Sequence, residues 1–361
     1  MLSPLVQELR DNAEPGHRAS AAEALRALRD PRALDVLVSA LQRDSANEVR
    51  RRAASALGAL GDTRAVDPLL DALRADAEDV RPSVAYALGS LASARLTGTL
   101  TELLTEEDAL IRGFAARALG VARARGAVAL LLQMLKHDPE PSVRAWAAEA
   151  LGYYRDPGAV PGLVAALSSD PAYSVRLSAA RSLGDVGDPA ALDVLLQAAG
   201  EDPTALVRDV AARSLSRFED PRALHTLTRM LREGSAELGR AIAALSLGQL
   251  RSRVAADALI TALANDSSPA VRLAAAEGLG DLGDGRCLES LLKSLRGYPE
   301  RYGRAMAARG LGKLGDLQTL QPLLDAFREN RDEVVRDGIV EALWALSDRL
   351  SWATPAQTSV S

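Results

Sequence analysis

An arginine recurs along the chain at Arg18, Arg50, Arg81, Arg112, Arg144, Arg176, Arg208, Arg240, Arg272, Arg304 and Arg336, always 31 or 32 residues after the last. Twelve residues after it stands an aspartate in eight of the eleven cases: Asp30, Asp62, Asp156, Asp188, Asp220, Asp284, Asp316 and Asp348. The other three positions hold Ser93, Ala124 and Ser252. A fixed period of this length marks a repeat architecture, in which each unit is too small to bury its own apolar face and stacks on its neighbours. The length agrees, because 361 residues exceed what a single compact core usually holds.

Each unit reads as two helices. In the clearest one, Val175, Ala179, Ala180, Leu183 and Val186 fall mostly three or four apart, the spacing of one helix face. Gly187 suits the left-handed residue that ends a helix, and Asp188 with Pro189 suits the start of the next. Asp30-Pro31, Asp156-Pro157 and Asp220-Pro221 repeat that start signal. The short apolar segment that follows, Ala190 to Ala199, must pack against neighbours. Ala-Ala pairs such as Ala53-Ala54, Ala115-Ala116 and Ala147-Ala148 allow close helix approach. Glycines after the recurring leucine (Gly58, Gly89, Gly120, Gly152, Gly184, Gly248, Gly280, Gly312) cost helix propensity and imply that another backbone comes near. The fold class is therefore all-α, a solenoid of about eleven two-helix units.

The recurring Val-Arg-x-x-Ala-Ala-x-x-Leu-Gly-x-x-Gly-Asp element, as in Val271-Arg272 through Leu279-Gly280 to Gly283-Asp284, resembles HEAT repeats of the short kind found in phycobilisome-lyase-like and many bacterial HEAT proteins. The resemblance covers about residues 2–350 and is specific for fold, not for function. It implies a right-handed α-solenoid whose second helices line a concave groove, with Arg and Asp of successive repeats forming a structural ladder near the turns. Residues 1–350 are expected to form one extended domain and 351–361 a disordered polar tail. Gly239 and Gly303 stand where an apolar residue usually precedes the arginine, and His17 stands there in the first repeat. The glycines read as points of flexure or as drifted repeats, the histidine as part of an atypical terminal cap.

Several classes are excluded. One cysteine, Cys287, allows no disulfide framework, cysteine-ligated cluster or cysteine-rich zinc site, and its place in the repeat makes it a small core residue. No apolar run is long enough to span a bilayer, and Met1 to Arg10 shows no secretory signal, so a soluble cytoplasmic protein is expected. The three histidines, His17, His137 and His225, lie in distant repeats, and none is followed by Glu. The paired His-Glu motifs of HEAT-like deoxyhypusine hydroxylases are thus missing. No catalytic residue, metal or cofactor is called for.

If the recurring arginine opens the inner helix, residues one, two, five and nine positions later face the groove or its edge. Four of the chain's twelve aromatic residues fall on this set in three consecutive repeats: Tyr86, Phe114, Trp146 and Tyr153. Large rings on a concave surface are the usual anchors of a partner, though Phe114 and Trp146 could also be packing between helices. The charges on this set balance. Eight are positive (Arg51, Arg52, Arg117, Arg181, Arg213, Arg217, Arg309, Lys313) and eight negative (Glu23, Glu149, Asp185, Asp209, Glu277, Asp281, Asp337, Glu341). A duplex-binding groove needs an unbalanced basic stripe, so nucleic acid is not expected, nor is the basic aromatic groove of HEAT-like alkylpurine glycosylases. The expectation is a non-enzymatic scaffold or adaptor that holds a protein or peptide against Tyr86, Phe114, Arg117, Trp146, Glu149, Tyr153, Arg181, Arg213 and Arg217. The alternative carried by the resemblance is a bilin lyase-like chromophore chaperone acting on a phycobiliprotein. There the same rings would stack on the bilin and Arg117 or Arg181 would pair with its propionates. The consecutive-tryptophan, tyrosine-rich element of those lyases has only a partial likeness here, Trp146 to Glu149 through Tyr153-Tyr154.

Overall fold

A computed structural model describes residues 2–91, 94–124 and 126–353. These contain 22 α-helices and seven 3-10 turns, with no strand among the described residues. The helices form eleven successive pairs, and the recurring arginine lies in the second helix of each. Two compact units divide at Asp188 and Pro189. The first holds repeats 1–6 and the second repeats 7–11, numbered by their arginines. The second helix of the last repeat, Glu333–Ala353, takes in the first three residues of the expected tail, and 354–361 lie outside the described residues.

The turn between repeats follows its chemistry. Asp30, Asp62, Asp156, Asp220, Asp284 and Asp316 each accept the backbone N–H two residues on, at 2.8 to 3.0 Å. All but Asp220 do so at the start of a short 3-10 turn that precedes the first helix, as at Pro31–Ala33 before Leu34–Arg43. Eight of the second helices end in a left-handed residue, whereas Arg81–Ser90 and Ala205–Leu215 do not. Gly61, Gly187, Gly283 and Gly315 take φ of +69° to +76°, whereas Arg29, Arg123, Arg155 and Arg251 hold φ near +50° at the same register without a glycine's freedom.

The second helices pack on one another through their small residues. A Cβ built on Gly120 would come within 2.7 Å of the Ala150 Cα, and one on Gly248 within 2.5 Å of the Gly278 Cα. Backbones meet there, and no side chain fits between them. The recurring leucines (Leu57, Leu88, Leu119, Leu151, Leu183, Leu247) are completely buried against the first helices. Burying each contributes about 1.5–3 kcal/mol relative to exposure. Cys287 is buried in this layer too, and burial pushes its thiol up to about 11.

The ladder exists, but with a different partner from the aspartate of the sequence comb. Arg18, Arg50, Arg112, Arg144 and Arg240 each donate through Nε to the carboxylate 26 residues on: Asp44, Asp76, Asp138, Asp170 and Asp266, at 2.7 to 2.9 Å. Each aspartate ends the first helix of the next repeat, so every rung ties two repeats together. Nη1 of the same guanidinium donates to carbonyls of its own turn, as from Arg144 to Asp138 and Pro139. The comb aspartates pair locally instead, Asp30 with Arg32 and Asp62 with Arg64, on the exposed surface.

Candidate binding site on the second helices of the first unit

Spacing along Pro141–Tyr154 puts Trp146, Glu149 and Tyr153 on one helix face, three and four residues apart. On the neighbouring helix Ala109–Ala122, Phe114 and Arg117 lie at the equivalent positions, and Tyr86 on Arg81–Ser90 completes the row. The rings do not share one role. Phe114 is a core residue and no exposed anchor: only 2% of it reaches solvent, because Trp146 covers it, ring centroids 4.8 Å apart and planes 29° from parallel. The indole lies where a Cβ on Gly113 would stand, so glycine in mid-helix is what lets it settle between the two helices. Trp146 remains half-buried, with part of its ring facing solvent, and Tyr86 is 59% exposed.

Around the indole the polar groups are linked. Arg117 Nη2 stands 3.4 Å from Glu149 Oε1, and the same oxygen accepts the Tyr153 hydroxyl at 3.2 Å. Burial, and then the neighbouring Glu149 charge, push the Tyr153 hydroxyl above its ordinary range, so it stays a neutral donor. Arg117 Nε is buried and finds no acceptor among the described protein atoms, an expensive arrangement for a donor. Tyr154, unlike its neighbour, turns away from the face. Its hydroxyl donates to the Leu119 and Ala124 carbonyls of the preceding repeat, and burial pushes it up to about 12.

Arg181 is exposed on Tyr173–Val186, whose first residue, Tyr173, is 53% exposed and went unnoticed in the sequence because it precedes the arginine. The last two expected residues belong to the second unit. Arg213 is exposed on Ala205–Leu215, but that helix stops at Leu215, so Arg217 lies past its end and not on its face. Ser216 turns there and its hydroxyl bonds back to the Arg213 carbonyl at 2.7 Å. Gly113 is the residue the sequence reading missed; its signal was a glycine one place after Arg112, where no turn was due.

About half of the balanced charges meet an opposite charge of the same set. Glu23 meets Arg52 at 3.4 Å in the first unit; in the second, Glu277 meets Lys313 at 3.2 Å and Arg309 meets Glu341 at 2.6 Å, each pair joining two repeats. Among the described residues no group of three or more His, Cys, Asp or Glu could hold a metal ion, and no helix is long and apolar enough to cross a membrane.

The family of HEAT repeats matches residues 2–89, 71–152, 96–179, 128–216, 160–248 and 256–344. The chain belongs to the HEAT-repeat family. The PBS lyase HEAT-like repeat matches residues 239–265. No curated protein matches the chain. Among solved structures, the Escherichia coli protein YibA is 21% identical with a TM-score of 0.50, over 73% of this chain and 95% of that one. Kap95p, in a structure with RanGDP, is 13% identical with a TM-score of 0.54, over 99% of this chain and 57% of its own. The CpcE–CpcF phycocyanin lyase of a Nostoc species is 22% identical with a TM-score of 0.43, over 70% and 94%. At these identities the likeness to YibA and Kap95p is one of fold.

Proposed function

We propose that this HEAT-repeat protein is a non-enzymatic scaffold that holds a protein or peptide segment against the second helices of its first unit. The observation that carries this reading is Trp146: its indole is locked by Phe114 beneath it and by the gap at Gly113, yet it still offers surface to solvent. A ring held in place before binding loses little freedom when a partner covers it. Tyr86 extends the apolar surface, and the linked Arg117, Glu149 and Tyr153 border the indole with polar groups. The balance of positive and negative charges on this face supports a protein ligand over a polyanion.

The test is selection from a displayed peptide library on wild type and on the Tyr86→Ala, Trp146→Ala double variant. Peptides enriched on wild type should lose at least about tenfold in affinity on the variant, the usual effect of removing an anchoring aromatic. Circular dichroism should show an unchanged helix content, since Tyr86 is exposed and Trp146 is only half-buried. Equal enrichment on both proteins would refute the site. A free bilin tested in parallel addresses the chromophore-chaperone reading: a visible absorbance shift that disappears in the variant would replace the peptide by a pigment.

A further inference from the structure

The rung at Arg208 lacks its carboxylate. Arg208 is fixed like the other ladder arginines, with Nη1 donating to the Asp202 and Pro203 carbonyls at 2.6 and 3.3 Å. The residue 26 positions on, where Asp44, Asp138, Asp170 and Asp266 stand in other rungs, is Gly234. Its backbone, φ −62° and ψ 128°, matches that of Asp44 (−66°, 136°) and Asp266 (−64°, 137°), so the fold is preserved and only the side chain is missing. In intact rungs the carboxylate also accepts a backbone N–H two residues on, from Ala46, Glu140, Ala172 or Ser268. The counterpart here is the N–H of Ala236.

Other altered rungs are repaired or closed. Beyond Arg272 the position holds Tyr298, whose hydroxyl accepts from the Arg272 Nε while Glu300 takes Nη2 at 3.1 Å, and Gly303 makes room for the tyrosine ring. The place of Gly303 in the sequence, read there as flexure or drift, is thus a packing site. Beyond Arg304 the position holds Asn330, and the Arg304 Nε is buried without a partner. At Arg208 no side chain takes the aspartate's place, and the rung lines a cavity of about 270 Å³, as the Arg50, Arg144 and Arg272 rungs line theirs, here with Gly200, Asp209, Arg229, Gly234 and Ala236 among the other lining residues. Glycines at 200, 234 and 239 place no side chain in it, and the Asp209 carboxylate lies only 3.4 Å from where a Cβ on Gly239 would be. Exposed Arg229 crosses Gly200 at the rim.

We propose that this cavity binds a carboxylate supplied from outside the chain, a guest that completes the rung by taking the Nε–Nη2 edge of Arg208 and the Ala236 N–H. A planar guanidinium already oriented by its own turn presents two parallel donors, the geometry that a carboxylate takes up bidentately. The buried Asp209 limits the guest to one negative charge at that depth and favours a ligand that brings an N–H beside its carboxylate, as an aspartate in a peptide does. This site is in the second unit and does not depend on the aromatic row of the first.

The experiment follows the Arg208 Nε–H resonance by NMR during titration with two probes. One is the peptide acetyl-Ser-Asp-Pro-Ala-amide, which copies Ser169 to Ala172 of the intact Arg144 rung; the other is sodium acetate, with sodium chloride as the ionic-strength control. A saturable shift is expected with the peptide. If acetate gives it as well, a free carboxylate suffices; if it does not, the site reads a peptide. Arg208→Gln should weaken binding at least about tenfold, while Arg18→Gln, in an intact rung of the first unit, should leave it unchanged. Gly234→Asp should abolish binding by supplying the carboxylate internally and should raise the melting temperature. Because its Cβ would come 2.5 Å from the Met230 carbonyl oxygen, the last turn of Pro221–Glu233 must ease to admit it, and the Arg208→Gln arm therefore stands independently. No saturable shift with either probe, or binding that survives Arg208→Gln in a protein of unchanged helix content, overturns the proposal.

Discussion

At the scale of the residue, the ladder arginine does most to join one repeat to the next. Arg144 and Asp170 are 11% and 9% exposed in their side chains, so their ion pair is nearly dry. Removing one partner leaves a charge buried alone, and Arg144→Ala should cost about 3 kcal/mol at neutral pH. The pH dependence has a definite sign. Burial alone would raise the Asp170 carboxyl, but Arg144 and the Ala172 N–H outweigh it and hold the group below the usual carboxylate range. Its contribution is therefore complete above the unfolded value near ~4 and is lost as pH falls through the lower folded value. The gap between wild type and Arg144→Ala should narrow below about pH 4 in thermal melts. A gap that stays constant to pH 3 would contradict this account of the pair. In the sequence the arginine was plain and its partner was not. Asp170 lies six residues before Arg176, and only stacking shows that it answers Arg144 in the preceding repeat.

At the scale of the element, helix starts and stops were legible because Asp, Pro and Gly each act through their own backbone geometry. Capping by arginine at Arg29, Arg123, Arg155 and Arg251 was not legible, since nothing in an arginine side chain asks for positive φ. The aromatic row was visible as a register, but register alone does not tell a buried ring from an exposed one. That depended on Gly113, whose missing Cβ lets Trp146 lie over Phe114. Glycine itself has two opposite meanings in these helices. At Gly98, inside Ala94–Leu103, nothing lies within 4 Å of a built Cβ, so Gly98→Ala should stabilise by about 0.5–1 kcal/mol through a less free unfolded chain. Gly120→Ala should do the reverse and cost about 1–3 kcal/mol, because its Cβ would press on the Ala150 backbone. Denaturant melts of the two variants should move in opposite directions; equal shifts would mean that propensity outweighs the helix–helix approach.

At the scale of the molecule, the period of 31–32 residues specified the repeats and the fold class, because a periodic core repeats in every unit. The candidate site was only partly legible, because a binding face is the part of a repeat that periodicity leaves unconstrained. Its charges were counted correctly as balanced, and the structure adds that opposite signs meet across repeat boundaries. The protein should therefore show no micromolar affinity for a 20-base-pair DNA duplex at about 0.1 M salt, measured by fluorescence anisotropy. Tight binding with a steep salt dependence would require a basic surface that the paired groups do not provide.

The mixture of glycine and arginine caps has a consequence for how the chain breathes. A left-handed arginine carries about 1 kcal/mol of conformational penalty that a glycine in the same place does not. Repeats ending at Arg29, Arg123, Arg155 and Arg251 should thus open their final turns more often than those ending at Gly61, Gly187, Gly283 and Gly315. Amide hydrogen exchange would then reveal weak seams and strong ones along a chain whose cores are nearly alike, and Arg155→Gly would mend one seam without touching a single packed side chain.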